Sequence, residues 1–374
     1  MRKSLPVLVI AILVFSALAL AAGSGKVRVI AHTDKDVSDA VANGCKVVRE
    51  AKTLKALICN ADVAAALELQ EDVQVFAMDS GANTQIRADL VQSSGNSGAG
   101  RKVVVVDTGY NYNHPELSSS YLGGRDFVNN DNDPLDDNGH GSHVAGIITA
   151  DGIDAKAKGV APAAGVIAGK VLSASGSGYF SDVVAAIYWA VDGPDGVYGT
   201  VDDFGADAIS MSLGTSQPYT YKGFCDGVLP DLTNAIKYAV DRSVIVVVAA
   251  GNSGGAGVSI PGCISYSTTV GAVDSGDKIA RWSGKGSAVD ISAPGVNIYS
   301  SWLGSEYKTA SGTSMATPMV SGTVALVKFA HPEYTVAQIE SALFNTAKDL
   351  GKAGKDTSYG WGRVDVYSAV NYAA

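Results

Sequence analysis

The chain has 374 residues, 47% hydrophobic and only 17% charged, which excludes a disordered or coiled-coil protein. Its 43 glycines follow no three-residue period, so a collagen-like fibre is excluded as well. Residues 1–80 balance nine basic against nine acidic side chains, so the net charge of −9 belongs to the remainder. That acidic body argues against nucleic acid or an anionic membrane surface as partner.

In chain order, residues 1–22 carry the three parts of an export signal. Arg2 and Lys3 form a positive start, Leu5 to Leu20 a nearly unbroken apolar core, and Ala19-Leu20-Ala21 a small-x-small cleavage site. A retained anchor is the alternative, but the stretch is short for a span of about 20 residues and no basic stop-transfer cluster follows. The expectation is a cleaved signal and a secreted, extracellular product with no membrane attachment afterwards.

Residues 26–79 read as a unit of their own. Val27 to Ile30 is a strand, Asp34 to Asn43 a helix, and Cys45 to Arg49 with Leu54 to Cys59 a hairpin turning near Lys52. A second helix, Ala61 to Leu69, opens after Asn60, and Asp72 to Phe76 closes the unit as a strand. The order β-α-β-β-α-β is the split βαβ arrangement. In the hairpin Cys45 faces Cys59, within reach of a cross-strand disulfide, which leaves Cys225 and Cys263 to pair; four buried thiols are the alternative. No CxxC spacing occurs, so zinc or thioredoxin chemistry is not indicated. Residues 80–100, rich in Gly, Ser and Asn, read as a linker.

Beyond the linker, short apolar strands alternate with helices. Lys102 to Val106, Val166 to Leu172, Ala208 to Leu213 and Ser243 to Ala249 read as strands, with helices over Ser181 to Val191, Asp231 to Asp241 and Ser314 to Ala330. This alternation predicts an α/β fold: a mostly parallel central sheet covered on both faces, three layers in all. In such sheets functional residues gather at the carboxyl ends of the strands.

Three segments there hold residue types that hydrolysis needs. Val106-Asp107-Thr108-Gly109 ends the first buried strand with an acid, Gly139-His140-Gly141 places an imidazole before a small-residue helix, and Gly312-Thr313-Ser314 starts a helix with a hydroxyl. A serine becomes a nucleophile when an imidazole takes its proton and an acid orients that imidazole. Asn252, after Val248 to Gly251, adds an amide donor for a developing oxyanion. Singly, each is an ordinary turn or cap residue. Their joint occurrence at strand ends and helix starts carries the chemical reading.

These motifs resemble the subtilisin-like serine proteases. Val-Asp-Thr-Gly at 106–109, His-Gly-Ser-His-Val-Ala-Gly at 140–146 and Gly-Thr-Ser-Met-Ala-Thr-Pro at 312–318 are similar to that family's three catalytic signatures, in its order Asp, His, Ser. The resemblance implies Asp107 as orienter, His140 as general base and then acid, Ser314 as nucleophile and Asn252 as oxyanion donor with the Ser314 N–H. His143 is implied to be a packing residue. Ser142 stands where Thr is usual, and Met319 where many members have His. The resemblance further implies a monomeric subtilisin-like domain over 81–374 and a propeptide over 23–80 that chaperones and inhibits it, released by self-cleavage within 76–84.

Substrates by the same resemblance are proteins and peptides, held as an added strand between two cleft edges. One edge contains Ser175 and Gly176, the other is Ser212-Leu213-Gly214, and Ala249, Ala250, Gly251 and Ser259 line the primary pocket. No acid lies in those stretches, so broad, apolar-leaning specificity is expected. Two acid-rich loops suit structural calcium, which takes six to eight oxygens in loose geometry, a solvated acidic loop being the alternative. The implied ligands are Asp126, Asp131 and Asp133 in the first, and Asp192, Asp195, Asp202 and Asp203 in the second. Glu116 stands where a further calcium site often has Asp, but Ile153 replaces a usual Asn there. Two other readings are a non-catalytic binding protein on the same fold and an α/β-hydrolase esterase. The intact constellation speaks against the first, and the order Asp, His, Ser with Ala316 in place of the elbow's last Gly against the second.

Overall fold

The computed structural model describes residues 25–51, 54–71 and 81–373. The chain divides into two compact units, residues 1–77 and 78–374. The export signal expected over 1–22, the strand over 72–76, the turn at Lys52 and positions 76–80 of the cleavage window lie outside the described residues.

In the first unit β1 (Lys26–Ala31), α1 (Asp34–Ala42), β2 (Lys46–Ala51), β3 (Leu54–Asn60), α2 (Ala61–Ala66) and β4 (Gln70–Glu71) follow in the expected order. The antiparallel sheet runs β2-β3-β1-β4. Thr33 starts α1 by accepting the Asp36 N–H, which satisfies one of the orphan donors of a helix start. Val29, Ala31, Ala40, Leu57 and Ala64 form a small core, and the Cys45–Cys59 disulfide closes the β2–β3 pair beside it.

The second unit opens differently from expectation. Residues 80–100 were to be a linker, yet α3 (Gly81–Gln85) and α4 (Ala88–Ser93) lie there, and Ile86, Ala88 and Val91 are buried in the main core. Burial of three apolar side chains outweighs the Gly and Ser around them.

The remaining strands are β5 (Lys102–Asp107), β6 (Tyr121–Asp126), β7 (Gly165–Lys170), β8 (Ala208–Met211), β9 (Thr220–Tyr221), β10 (Ile245–Ala249), β11 (Val258–Ser259), β12 (Thr268–Val273), β13 (Ile291–Pro294), β14 (Ile298–Ser301) and β15 (Tyr307–Ala310). The helices are α5 (His140–Thr149), α6 (Phe180–Asp192), α7 (Pro230–Asp241), α8 (Thr313–Ala330), α9 (Val336–Asn345) and α10 (Val366–Val370). Seven strands form one parallel sheet, β13-β12-β10-β8-β5-β7-β6, and β9–β11 and β14–β15 are short antiparallel pairs.

Successive side chains on a strand point to opposite faces, and the core divides accordingly. Val103 and Val105 pack with α5, α8 and α9 on one face; Val104 and Val106 pack with α6 and α7 on the other. The result is the three-layer α/β architecture expected. From β5 the chain crosses to the edge strand β6, comes back to place β7 between them, then adds β8, β10, β12 and β13 on the other side. The strand order therefore reverses between β5 and β8, which opens a crevice at their carboxyl ends. Cys225 and Cys263 form a second disulfide in this unit. Among the described residues no helix is long and apolar enough to cross a membrane.

Candidate active site

The crevice is a cleft of about 780 Å³ lined by His140, Ser212, Leu213, Gly214, Asn252 and Ser314 among others. No Asp, Glu, Lys or Arg lines it. Asp107 ends β5 and is fully buried. Its Oδ1 accepts from the Thr108 N–H and from His140 Nδ1, each at 2.7 Å, while Oδ2 is buried without a hydrogen-bond partner among the described residues. The carboxylate fixes the imidazole with Nδ1 protonated and leaves Nε2 for the cleft. Burial alone would lower the His140 pKa; the charge and hydrogen bond of Asp107, with a further push from Asp136, outweigh it and hold the imidazole above its ordinary value.

His140 was expected just ahead of a helix; it is instead the first residue of α5. Gly139 adopts a left-handed φ of 101° to make the entry, and a Cβ on Gly141 would collide with the Gly109 carbonyl, so the helix start closes directly on the β5 turn. Gly139 has no side chain to cap the helix. Asp136 does so from three residues upstream, accepting the N–H groups of Gly139 and Ser142 at 2.9 and 2.8 Å. Ser142, the unusual Ser, donates its hydroxyl to Asp136 at 2.6 Å and accepts from the Asn111 N–H. His143 is wholly buried, with Nε2 against the carbonyls of Lys308 and Ile298, and burial pushes its pKa from 6.5 down to about 4. It is a neutral packing residue.

Ser314 lies in the first turn of α8, where backbone N–H groups have no intrahelical acceptor. Its hydroxyl donates to the Ser212 carbonyl at 3.0 Å, and the Ser212 hydroxyl donates to the Ser314 carbonyl at 2.8 Å. Pro318 explains the second bond. Four residues after Ser314, it has no N–H to offer the Ser314 carbonyl, and Ser212 fills the vacancy. Among the described residues no hydrogen bond joins Ser314 to His140. A Ser314 hydroxyl turned from Ser212 toward Nε2 would make such a bond, a tightening common on substrate binding.

Asn252 follows β10. Its Oδ1 accepts the Thr313 N–H and hydroxyl at 3.0 and 3.1 Å, which orients Nδ2 away from Thr313; a Cβ on Gly312 would lie 3.6 Å from that Nδ2. The amide hydrogens and the Ser314 N–H are thus available to one developing charge. An imidazole, a hydroxyl and an amide donor face one cleft from three separate elements, and a buried acid backs the imidazole. A family model described as the subtilase family matches residues 98–362.

This chain belongs to the subtilase family.

The subtilase is 38% identical over 276 residues to thermitase of Thermoactinomyces vulgaris, covering 74% of this chain and 90% of that one. It is also 38% identical over 286 residues to subtilisin Savinase of Lederbergia lenta, covering 76% and 96%. A thermophilic serine proteinase of Bacillus sp. strain AK1 matches at 38% over 275 residues, 73% of this chain and 62% of the relative. By class the subtilase is a serine endopeptidase.

Of the residues expected to hold substrate, Gly176, Ser212, Leu213, Gly214, Ala249, Gly251 and Ser259 line the cleft. Ser175 and Ala250 do not. Ser175 is exposed on a turn with its hydroxyl shared between Ser173 and Ser177, and Ala250 is wholly buried, its backbone bonded to Val270 and Ser259. Sequence reasoning passed over Tyr179, Phe180 and Tyr219, which line the cleft with large rings and carry no motif. Met319, the other departure, is buried in the core.

The acidic loops have the hard oxygen donors that calcium prefers, yet among the described residues no three acidic or His and Cys side chains converge. Asp126 is buried and accepts from Val128 N, Asn129 N and Asn129 Nδ2; Asp131 accepts Asp133 N, and Asp133 the Tyr112 hydroxyl. In the second loop Asp192 accepts the Tyr238 hydroxyl, Asp195 the Val197 N–H, Asp202 the Asp195 N–H and Asp203 the Gly199 N–H. Glu116 is wholly buried, and its carboxylate takes the N–H groups of Gly152, Ile153 and Asp154 and the Tyr307 hydroxyl. That loop points donors, not acceptors, at its centre.

Proposed function

We propose that this subtilase cleaves peptide bonds through an acyl-enzyme, with Asp107, His140, Ser314 and Asn252 in the roles their geometry fits. The Ser314 oxygen attacks the carbonyl carbon as its proton passes to His140 Nε2. Asn252 Nδ2 and the Ser314 N–H hold the oxyanion. His140 returns the proton to the leaving amine as the C–N bond breaks, and water then releases the acyl group by the same route. The observation that carries the reading is the 2.7 Å His140–Asp107 bond in a cleft shared with Ser314. A cleft rimmed by rings and free of formal charge apart from His140 supports broad, apolar-leaning specificity.

The product is secreted after removal of residues 1–22, and two disulfides accord with export. Residues 23–80 act as an intramolecular chaperone and inhibitor, supported by their separate split βαβ fold, and the released enzyme works as a monomer. Calcium is structural in this reading, held by Asp126, Asp131 and Asp133 and by Asp192, Asp195, Asp202 and Asp203, once those carboxylates turn from the donors they now accept. It would offset carboxylate repulsion and take no part in the reaction. The cleavage window narrows as well. Asn83 Nδ2 donates to the Lys158 carbonyl at 2.8 Å and Gln85 Nε2 to Asp277 Oδ1 at 2.7 Å, so a start beyond Asn83 would discard the first of two anchors.

The test compares secreted wild type with Ser314→Ala on a gel, followed by N-terminal sequencing. Wild type is expected to shorten to a start no later than Asn83, while Ser314→Ala stays long and inert toward peptides. A Ser314→Ala chain that shortens and cleaves peptides would sink the reading.

A further inference from the structure

Asp136 is used by none of these steps, yet five donors converge on its buried carboxylate. Oδ1 accepts the Thr108 hydroxyl at 2.9 Å, the Asn138 N–H at 3.0 Å and the Gly139 N–H at 2.9 Å; Oδ2 accepts the N–H and hydroxyl of Ser142. Thr108 follows Asp107, and its hydroxyl oxygen also accepts the Gly141 N–H at 2.8 Å. One carboxylate thus ties the residue after the acid to residues on both sides of the imidazole. Lys170 clamps Thr108 from its other end, donating to the Thr108 carbonyl and to Asp137.

We propose that Asp136 is a positioning residue for peptide hydrolysis, locking the start of α5 to the end of β5 and placing a second negative charge behind His140. The proposal rests on the triad reading above. Burial by itself would push the Asp136 carboxyl up; the Gly139 N–H, both Ser142 donors and the Asn138 N–H outweigh it and hold the acid below the ordinary carboxylate range. Asp136 therefore keeps its charge to lower pH than an ordinary carboxylate. The charged and titratable groups around His140 are few. Asp107 faces it from β5, Asp136 from the preceding loop, and neutral His143 from its own helix. Lys170 and Asp137 offset each other beyond Thr108, and Lys308 sits over the Trp302 ring beside His143. Removing the Asp136 charge leaves Asp107 as the single uncompensated anion facing the imidazole, so His140 must lose its proton at lower pH.

The experiment measures kcat and KM against pH for wild type, Asp136→Asn and Ser142→Ala on one chromogenic peptide. In Asp136→Asn the acid limb of kcat/KM is expected to move down by about half a pH unit, threefold in proton affinity, with plateau kcat reduced about tenfold and KM unchanged. Ser142→Ala keeps the charge and loses one donor, so kcat falls about threefold with the limb in place. An unmoved limb in Asp136→Asn, or an equal shift in Ser142→Ala, overturns the proposal. Should Asp136→Asn not fold, Thr108→Val decides. It removes the hydroxyl shared by Asp136 and Gly141 and must lower kcat with KM and the limb unmoved; full activity there refutes the positioning role. Ser314→Ala separates the two failures. If it still cleaves the peptide, the triad reading falls; if it is inert beside an Asp136→Asn enzyme with an unshifted limb, this proposal alone falls.

Discussion

The acids behind the cleft and several acids of the two loops are held differently, although Asp133 and Asp192 in those loops also reach the distant hydroxyls of Tyr112 and Tyr238. Asp107 and Asp136 accept from side chains 33 and 28 residues away in the chain. Asp131, Asp195 and Asp203 accept from N–H groups two to four residues away. A locally satisfied acid shapes its own turn and asks nothing of the rest of the fold. An acid satisfied at a distance pins two elements together, and its loss is felt at both.

Substitutions can test how far that contrast reaches. The largest effect is expected from Asp107→Asn, which keeps the shape but stabilises the wrong imidazole tautomer; kcat should fall about 10⁴-fold at constant KM. A loss under tenfold would show that Asp107 orients nothing. Asn252→Ala removes one oxyanion donor and should reduce kcat by about 10²–10³-fold, again with KM preserved. A change confined to KM would instead make Asn252 a ground-state contact.

Acid stability offers a smaller effect with a definite sign. His143 binds its proton at about 4 in the folded chain against 6.5 unfolded. Its contribution is whole above the unfolded value, shrinks as pH falls toward the folded one, and levels off below, a loss of about 3 kcal/mol in all. Melting temperatures of Ser314→Ala, with and without His143→Gln, read this directly. Equal pH slopes in the two chains would remove His143 from the account. The smallest effects belong to the acidic loops: Asp202→Asn should leave kcat within about twofold, and chelator should lower Tm by several degrees without touching the acid limb. Loss of activity in folded, chelated enzyme would place the metal in the chemistry and dissolve the contrast.

Much of this was legible in advance because the signals were local. Val103 to Val106 announced a strand buried on both faces, and the small residues after His140 announced a helix, though one that starts four residues earlier than expected. What escaped depended on partners remote in sequence. Nothing near Asp136 indicates that Thr108 will meet it, and nothing near Pro318 indicates that the carbonyl it leaves bare will find Ser212. Residues 80–100 misled for the opposite reason, since their composition is loose while Ile86, Ala88 and Val91 carry the packing. Ser175 and Ala250 sit in the expected segments but do not line the cleft.

The two faces of the sheet also divide the labour. His140 and Ser314 ride on α5 and α8, which pack together on one face, whereas Phe180 and Val183 reach the cleft from α6 on the other. The two walls of the cleft are therefore mounted on separate chassis bolted to a common plate. On the proposed reading, repacking beneath α6 would reshape one wall while His140 and Ser314 keep their alignment on the other.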